Sequence, residues 1–148
     1  MKVNGKHYRS LWWNEEADVL EIIDQRALPY DFVTQPVRTV EDFCDAIREM
    51  RVRGAPLIGA TAAYGMARAM ADDPCDASIY RAWEVLHATR PTAINLRWAL
   101  DRSRAVLLPL PQADRANAAL SSKYRCQWRG QAVCRGRVDA LRRRQRQV

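Results

Sequence analysis

The sequence predicts an α+β fold: a small N-terminal antiparallel β-sheet over about residues 1–24, followed by a helical bundle over about residues 39–108. Three observations predict it. Apolar residues alternate with polar ones early in the chain, the period of a half-buried strand. From Val40 onward they recur at three and four residues, the period of an amphipathic helix. A chain of 148 residues with 48% hydrophobic and 28% charged side chains has the length and balance of one folded globular domain. No repeat of fixed period is visible, which sets aside solenoids and propellers.

Taken in order, Lys6 to Trp13 is rich in aromatic and alternating side chains, and Asn14-Glu15-Glu16-Ala17 breaks the pattern. The run from Asp18 to Asp24 then completes a hairpin signal. Pro29 and Pro36 interrupt the next stretch, so Gln25 to Pro36 reads as a crossing loop. Thr39 and Asp42 outline a capping box, with Asp where Glu or Gln is usual. Val40, Phe43, Cys44, Ile47 and Met50 then mark a helix ending near Arg51. From Pro56 to Gly65 nearly every side chain is small, which reads as a buried helix with proline in its first turn. Asp72-Asp73-Pro74 closes it. Ser78 is the expected cap of a further helix to about His87, and Thr92 of another running toward Val106. After Leu107-Leu108-Pro109-Leu110-Pro111 the pattern thins.

The formal charge of +7 invites a nucleic-acid reading, but its location argues against one. Residues 1–120 carry 15 basic and 16 acidic side chains, whereas residues 121–148 carry 9 and 1. The basic character belongs to a short tail, where Gly130 and Gly136 interrupt an aperiodic, Arg-rich stretch. That tail is expected to be disordered or out of frame with the gene; a genuine RNA-binding tail, stacking bases on Tyr124 and Trp128, is the rival. Nucleic acid is not the expected partner of the body. No apolar run has the ~18 residues of a membrane span, and the N-terminus lacks a signal-peptide core, so a cytoplasmic location is expected. Cys44, Cys75, Cys126 and Cys134 lack the spacing of a zinc site, so no metal is expected, and Cys44 fits a buried small hydrophobe better than a reactive thiol.

Two short segments suit an anion. In Arg51-Val52-Arg53-Gly54-Ala55-Pro56, Gly54 permits close backbone approach, a helix N-terminus follows, and Arg53 offers a charge able to pair bidentately with phosphate oxygens. In Thr89-Arg90-Pro91-Thr92, Pro91 pins the chain beside Arg90. An Arg-Gly turn before a helix is more often a cap than a ligand site, so neither segment alone decides.

The pair together, Arg53-Gly-Ala-Pro-Leu-Ile-Gly-Ala-Thr-Ala-Ala-Tyr-Gly65 and Thr89-Arg-Pro-Thr-Ala-Ile-Asn-Leu96, resembles the signature of the S-methyl-5-thioribose-1-phosphate isomerases of methionine salvage. Asp24-Gln-Arg-Ala-Leu-Pro29 and Glu49-Met-Arg-Val-Arg53 add to the resemblance, which covers residues 1 to about 120. It implies that Arg53, Gly54, Ala55 and Arg90 contact a small-molecule sugar phosphate. The implied reaction is aldose–ketose isomerisation of 5-methylthioribose 1-phosphate, with no metal or organic cofactor, in members whose full-length form is a homodimer.

The resemblance also implies what these residues lack. The family's catalytic Cys stands in a Thr-His-Cys-Asn motif and its Asp in a Gly-Ala-Asp motif, both in a C-terminal Rossmann-like domain, and neither motif occurs in this sequence. No catalytic residue is therefore assigned, and the 148 residues alone are expected to be inactive. Two alternatives remain open within the superfamily: a ribose-1,5-bisphosphate isomerase, and a non-catalytic regulatory subunit of the translation-initiation guanine-nucleotide exchange factor. Retention of both Arg-containing motifs favours an isomerase.

Overall fold

The computed structural model describes residues 2–14 and 16–120; the expectations for residues 121–148 lie outside them. The architecture is α+β, as the sequence predicts. Strands β1 (Lys2–Val3) and β2 (Lys6–His7) form a two-stranded antiparallel ribbon. Its turn is Asn4-Gly5, where both residues take positive φ, the geometry of a tight hairpin turn. β3 (Leu11–Asn14), β4 (Val19–Ile23) and β5 (Thr34–Val37) form a second antiparallel sheet in that order. Leu11 faces Ile22 across the first pair and Leu20 faces Val37 across the second, which places β4 at the centre with Leu20, Ile22 and Ile23 fully buried.

The expected hairpin is thus β3–β4, with two corrections. Lys6 and His7 belong to the separate ribbon, and the segment expected to be loop contributes β5. Pro36 caused the misreading. It lies on an edge strand opposite Glu21, where the missing N–H costs no ladder bond.

Five helices follow. α1 (Val40–Arg48) begins at the expected capping box: Thr39 Oγ1 accepts from the Asp42 N–H at 3.1 Å, and Asp42 Oδ2 accepts from the Thr39 N–H at 2.9 Å. Asp serves in place of Glu because that one oxygen also takes the Arg38 N–H at 2.9 Å. Burial opposes the charge on Asp42, but the backbone donors of Thr39 and Arg38 prevail and hold its carboxyl below the ordinary value. α2 (Ala55–Asp72) is the small-residue helix, and it is central: it packs on α1, α3, α4 and α5, and eleven of its eighteen residues are buried. Small side chains permit this. A Cβ at Gly65 would stand 3.0 Å from Leu86 Cδ2 and 3.3 Å from Phe43 Cβ, so glycine here sets how closely three helices approach.

α3 (Asp76–Thr89) and α4 (Ile94–Leu107) occupy the expected places with different caps. Cys75, not Ser78, caps α3: its Sγ accepts from the Ser78 N–H, while its own N–H is drawn to Asp73 Oδ1 at 3.1 Å. Thr92 does not cap α4. The cap residue is Ala93, whose N–H closes a turn on the Arg90 carbonyl at 3.0 Å, and no side chain caps the helix. The expected bundle ends near residue 108, but α5 (Gln112–Leu120) extends it and packs on α2. Its core-facing positions are Arg115 and Ala119, so the apolar period that would mark it is missing. Cys44 is fully buried, and burial pushes its thiol up to about 11, which makes it a packing residue rather than a nucleophile.

Candidate functional site

The N-terminus of α2 is built by a short segment held at nearly every residue. The Glu49 N–H caps α1 on the Asp45 carbonyl at 2.9 Å, and Met50 then turns through a left-handed conformation, φ 60°. Val52 is fully buried and its N–H bonds the Ala46 carbonyl at 3.2 Å. With Val52 anchored inside, Arg53, Gly54 and Ala55 emerge on the surface. Gly54 is the N-cap of α2 at φ 94°, ψ 133°, a region open in practice to glycine alone. An added Cβ would meet no atom within 4 Å, so glycine is required by backbone conformation and the space before the helix is open.

That N-terminus is uncompensated. No side chain caps it and its first turn holds no acidic residue, while Pro56 has no N–H to satisfy. The backbone donors at its start carry the positive end of an 18-residue helix dipole toward solvent.

The loop's basic residues divide into two kinds. Arg26 Nε and Nη2 grip Asp24 at 3.0 and 2.7 Å, and its Nη1 reaches Glu49 Oε2 at 2.9 Å. Arg51 bonds the same Glu49 oxygen through Nε (3.0 Å) and Nη2 (2.9 Å), and Gln35 Oε1 through Nη1 (3.0 Å). These two arginines are neutralised. Arg53 makes a single hydrogen bond, Nε to the Met50 carbonyl at 3.3 Å, and has no carboxylate partner among the described residues. The Arg90 side chain likewise has no partner among them; only its backbone is engaged, at the C-cap of α3. Both nominated arginines thus keep their charge unspent among the described residues.

Arg90 sits in the turn between α3 and α4. The connection Asp73–Cys75 folds α3 back along α2, with Leu86 against Gly65, so the Arg90 end of α3 lies toward the Gly54 end of α2. No hydrogen bond or ion pair joins the Arg90 side chain to residues 53–55. The ionic group around Glu49 escaped the residue-level reading, although Asp24/Arg26 and Glu49/Arg51, each pair two residues apart, were its signal. Among the described residues no three His, Cys, Asp or Glu side chains group to hold a metal, and no helix is long and apolar enough to cross a membrane.

The Asp24 carboxyl carries a pH dependence. Arg26, bonded to both its oxygens, holds it below its ordinary value and prevails over the opposing effect of burial. A depressed native value means that the contribution to stability is full above the unfolded carboxylate range, near pH 4, and is lost as pH falls through the native value. Urea melts at pH about 6 and about 3 are expected to show a larger acid loss for the wild type than for Asp24→Asn. Equal losses would show that Asp24 is not the group responsible.

No protein-family model matches the chain. Against curated proteins it is 59% identical over 119 residues to a methylthioribose-1-phosphate isomerase of Brucella anthropi, covering 80% of this chain and 33% of that protein. The enzyme of the same name from Cereibacter sphaeroides is 60% identical over 119 residues (80% and 32%). That of Methylorubrum populi is 47% identical over 135 residues (91% and 37%), an alignment that necessarily runs past residue 120. The chain therefore spans about a third of the length of these relatives. Two solved structures share the fold: translation initiation factor eIF-2B subunit delta from A. fulgidus, with TM-score 0.71 and 30% identity over 82% of this chain and 36% of that one; and 5-methylthioribose 1-phosphate isomerase from Pyrococcus horikoshii, with TM-score 0.69 and 31% identity over 82% and 37%. The folds alone do not separate the two neighbours. The identities to the curated isomerases are higher than to either, 47–60% against 30–31%.

Proposed function

We propose that the chain is a partial member of the methylthioribose-1-phosphate isomerase family and supplies the phosphate-holding N-terminal part of an aldose–ketose isomerase. The substrate of the whole protein is 5-methylthioribose 1-phosphate and the product 5-methylthioribulose 1-phosphate. One observation carries the reading: among the described residues Arg53 and Arg90, the two arginines nominated by motif, have no carboxylate partners, while Arg26 and Arg51 are neutralised. A phosphate dianion supplies what these two lack.

In this reading the phosphate accepts from the N–H groups of Gly54 and Ala55 at the start of α2 and pairs with the guanidinium groups of Arg53 and Arg90. Because the phosphate is attached at the anomeric carbon, the sugar ring must open before hydrogen moves from C2 to C1. Residues 53–55 and 90 keep hold of the phosphate while the ring opens. Such holding lowers the energy of substrate and transition state alike, so it binds without accelerating the chemical step. The acid or base that moves the proton belongs to motifs absent from these 148 residues.

The proposal extends to a folded unit over residues 1–120, a cytoplasmic location, and a homodimer for the whole protein. The 148-residue chain is expected to bind methylthioribose 1-phosphate and not to turn it over. Arg53→Ala and Arg90→Ala are each expected to weaken that binding about tenfold or more, the loss of a charge-assisted bond worth about 1.5–3 kcal/mol, measured by calorimetric titration at low salt. Absence of binding by a cooperatively folded wild type would favour the regulatory-subunit reading, which the eIF-2B neighbour supports.

A further inference from the structure

The Glu49 carboxylate stands close to a site proposed to bind an anion, where a negative charge should do harm. The Glu49 backbone is held as the C-cap of α1, but its side chain is placed by contacts outside the helix. Its Oε2 receives three guanidinium bonds, one from Arg26 and two from Arg51, at 2.9–3.0 Å. Arg26 is anchored through Asp24 to the end of β4, and the Arg51 carbonyl accepts from the Gln25 N–H at 2.9 Å. One carboxylate oxygen therefore ties the sheet to the segment that ends in Gly54, just ahead of a buried Val52 that fixes the chain's exit.

We propose that Glu49 is a positioning residue of the phosphate loop: by gathering Arg26 and Arg51 it fixes the path of residues 50–54, aims the Gly54 and Ala55 N–H groups, and leaves Arg53 as the loop's uncommitted charge. The inference rests on the phosphate-site reading above. It makes a prediction opposite in sign to simple electrostatics. Removing a negative charge near an anion site, and releasing two arginines there, should strengthen anion binding. If Glu49 acts by positioning, binding weakens instead, because a disordered loop must be ordered by the ligand.

The test is a titration of the full 148-residue chain with inorganic phosphate at low salt, followed through the backbone amide signals of Gly54 and Ala55. Glu49→Gln keeps size and one acceptor but loses the charge; it is expected to weaken binding by about fivefold, with faster hydrogen exchange at residues 50–55 and unchanged exchange in α4. Arg26→Gln should do the same, and the double variant should be no worse than either single one. Unchanged or tighter binding by Glu49→Gln, with Arg53→Ala still weakening it, would overturn the positioning role while leaving the phosphate site intact. Indifference of the wild-type Gly54 and Ala55 signals to phosphate, or of binding to Arg53→Ala, would overturn the site and the inference together. Asp72→Asn, which breaks only the Arg68 pair at the far end of α2, is the control for generic loss of an ion pair and should leave phosphate binding unchanged.

Discussion

Arg115→Met is expected to lower the thermal midpoint by roughly 10 °C, a loss of about 3 kcal/mol, with a cooperative transition retained. Arg115 is 4% exposed and lies on α5, yet its guanidinium is spent on the ends of other elements. Nε donates to the carbonyls of Leu107 and Leu110 at 3.0 Å each, Nη2 to Leu108 at 3.1 Å, and Nη1 to Pro74 at 2.8 Å, while Nη1 also forms an ion pair with Asp76 at 2.6 Å. It therefore satisfies the C-terminal carbonyls of α4, complements that end of the helix dipole, and pins the α2–α3 connection. Methionine keeps the aliphatic length but removes the donor from the Leu108, Leu110 and Pro74 carbonyls, while the Leu107 carbonyl keeps only the Leu110 N–H at 3.2 Å. Asp76 is largely exposed and is rehydrated, so the cost comes from the carbonyls rather than from an abandoned carboxylate. Arg115→Lys, a point charge without the planar fork, should fall between the two. A methionine variant melting with the wild type would show that water replaces the guanidinium without penalty.

The second large effect is expected at Gly54. Gly54→Val should cost about 2 kcal/mol of stability and abolish phosphate binding, read by urea melts and by the same titration. The cause is conformational, since an added Cβ has no atom within 4 Å to strike. At φ 94° and ψ 133° a β-branched residue must leave its backbone well, and in doing so it rotates the N–H groups at the start of α2. Asparagine, which tolerates the left-handed helical region, should not rescue binding, because that ψ lies far outside it. Full phosphate affinity in Gly54→Val would place the anion elsewhere.

How much of this was legible in the sequence follows from where each signal resides. The capping box at Thr39 and Asp42 and the small-residue run of α2 are local, and both were readable because they use chemistry contained within a few residues. β5 was lost to Pro36, whose strand-breaking reputation holds for central strands and not for an edge. α5 was lost because its inward position is an arginine, polar by type and buried by five partners, three at the end of α4 and its following connection and two at the distant α2–α3 connection. The same limit applied at the candidate site. Arg53, Gly54, Ala55 and Arg90 were nominated by motif, and the local pairs Asp24/Arg26 and Glu49/Arg51 signal which arginines are neutralised, but nothing in the order of residues says that one carboxylate serves both. That sharing depends on Glu49 meeting Arg26 across 23 positions of chain. The Ser78 and Thr92 caps failed for a smaller reason: Cys75 and Ala93 were fixed first, by Asp73 and by the turn on Arg90.

The central claim is that residues 53–55 and Arg90 together hold a sugar phosphate. It is tested most directly by titrating the isotopically labelled 148-residue chain with methylthioribose 1-phosphate and following both the Gly54 and Ala55 amide signals and the guanidinium Nε–H signals of Arg53 and Arg90. All four should move along one binding curve that weakens with added salt, while Arg26 and Arg51, already neutralised, stay still. Movement of Arg26 or Arg51 in place of Arg53 and Arg90, or no saturable movement in a folded chain, would contradict it.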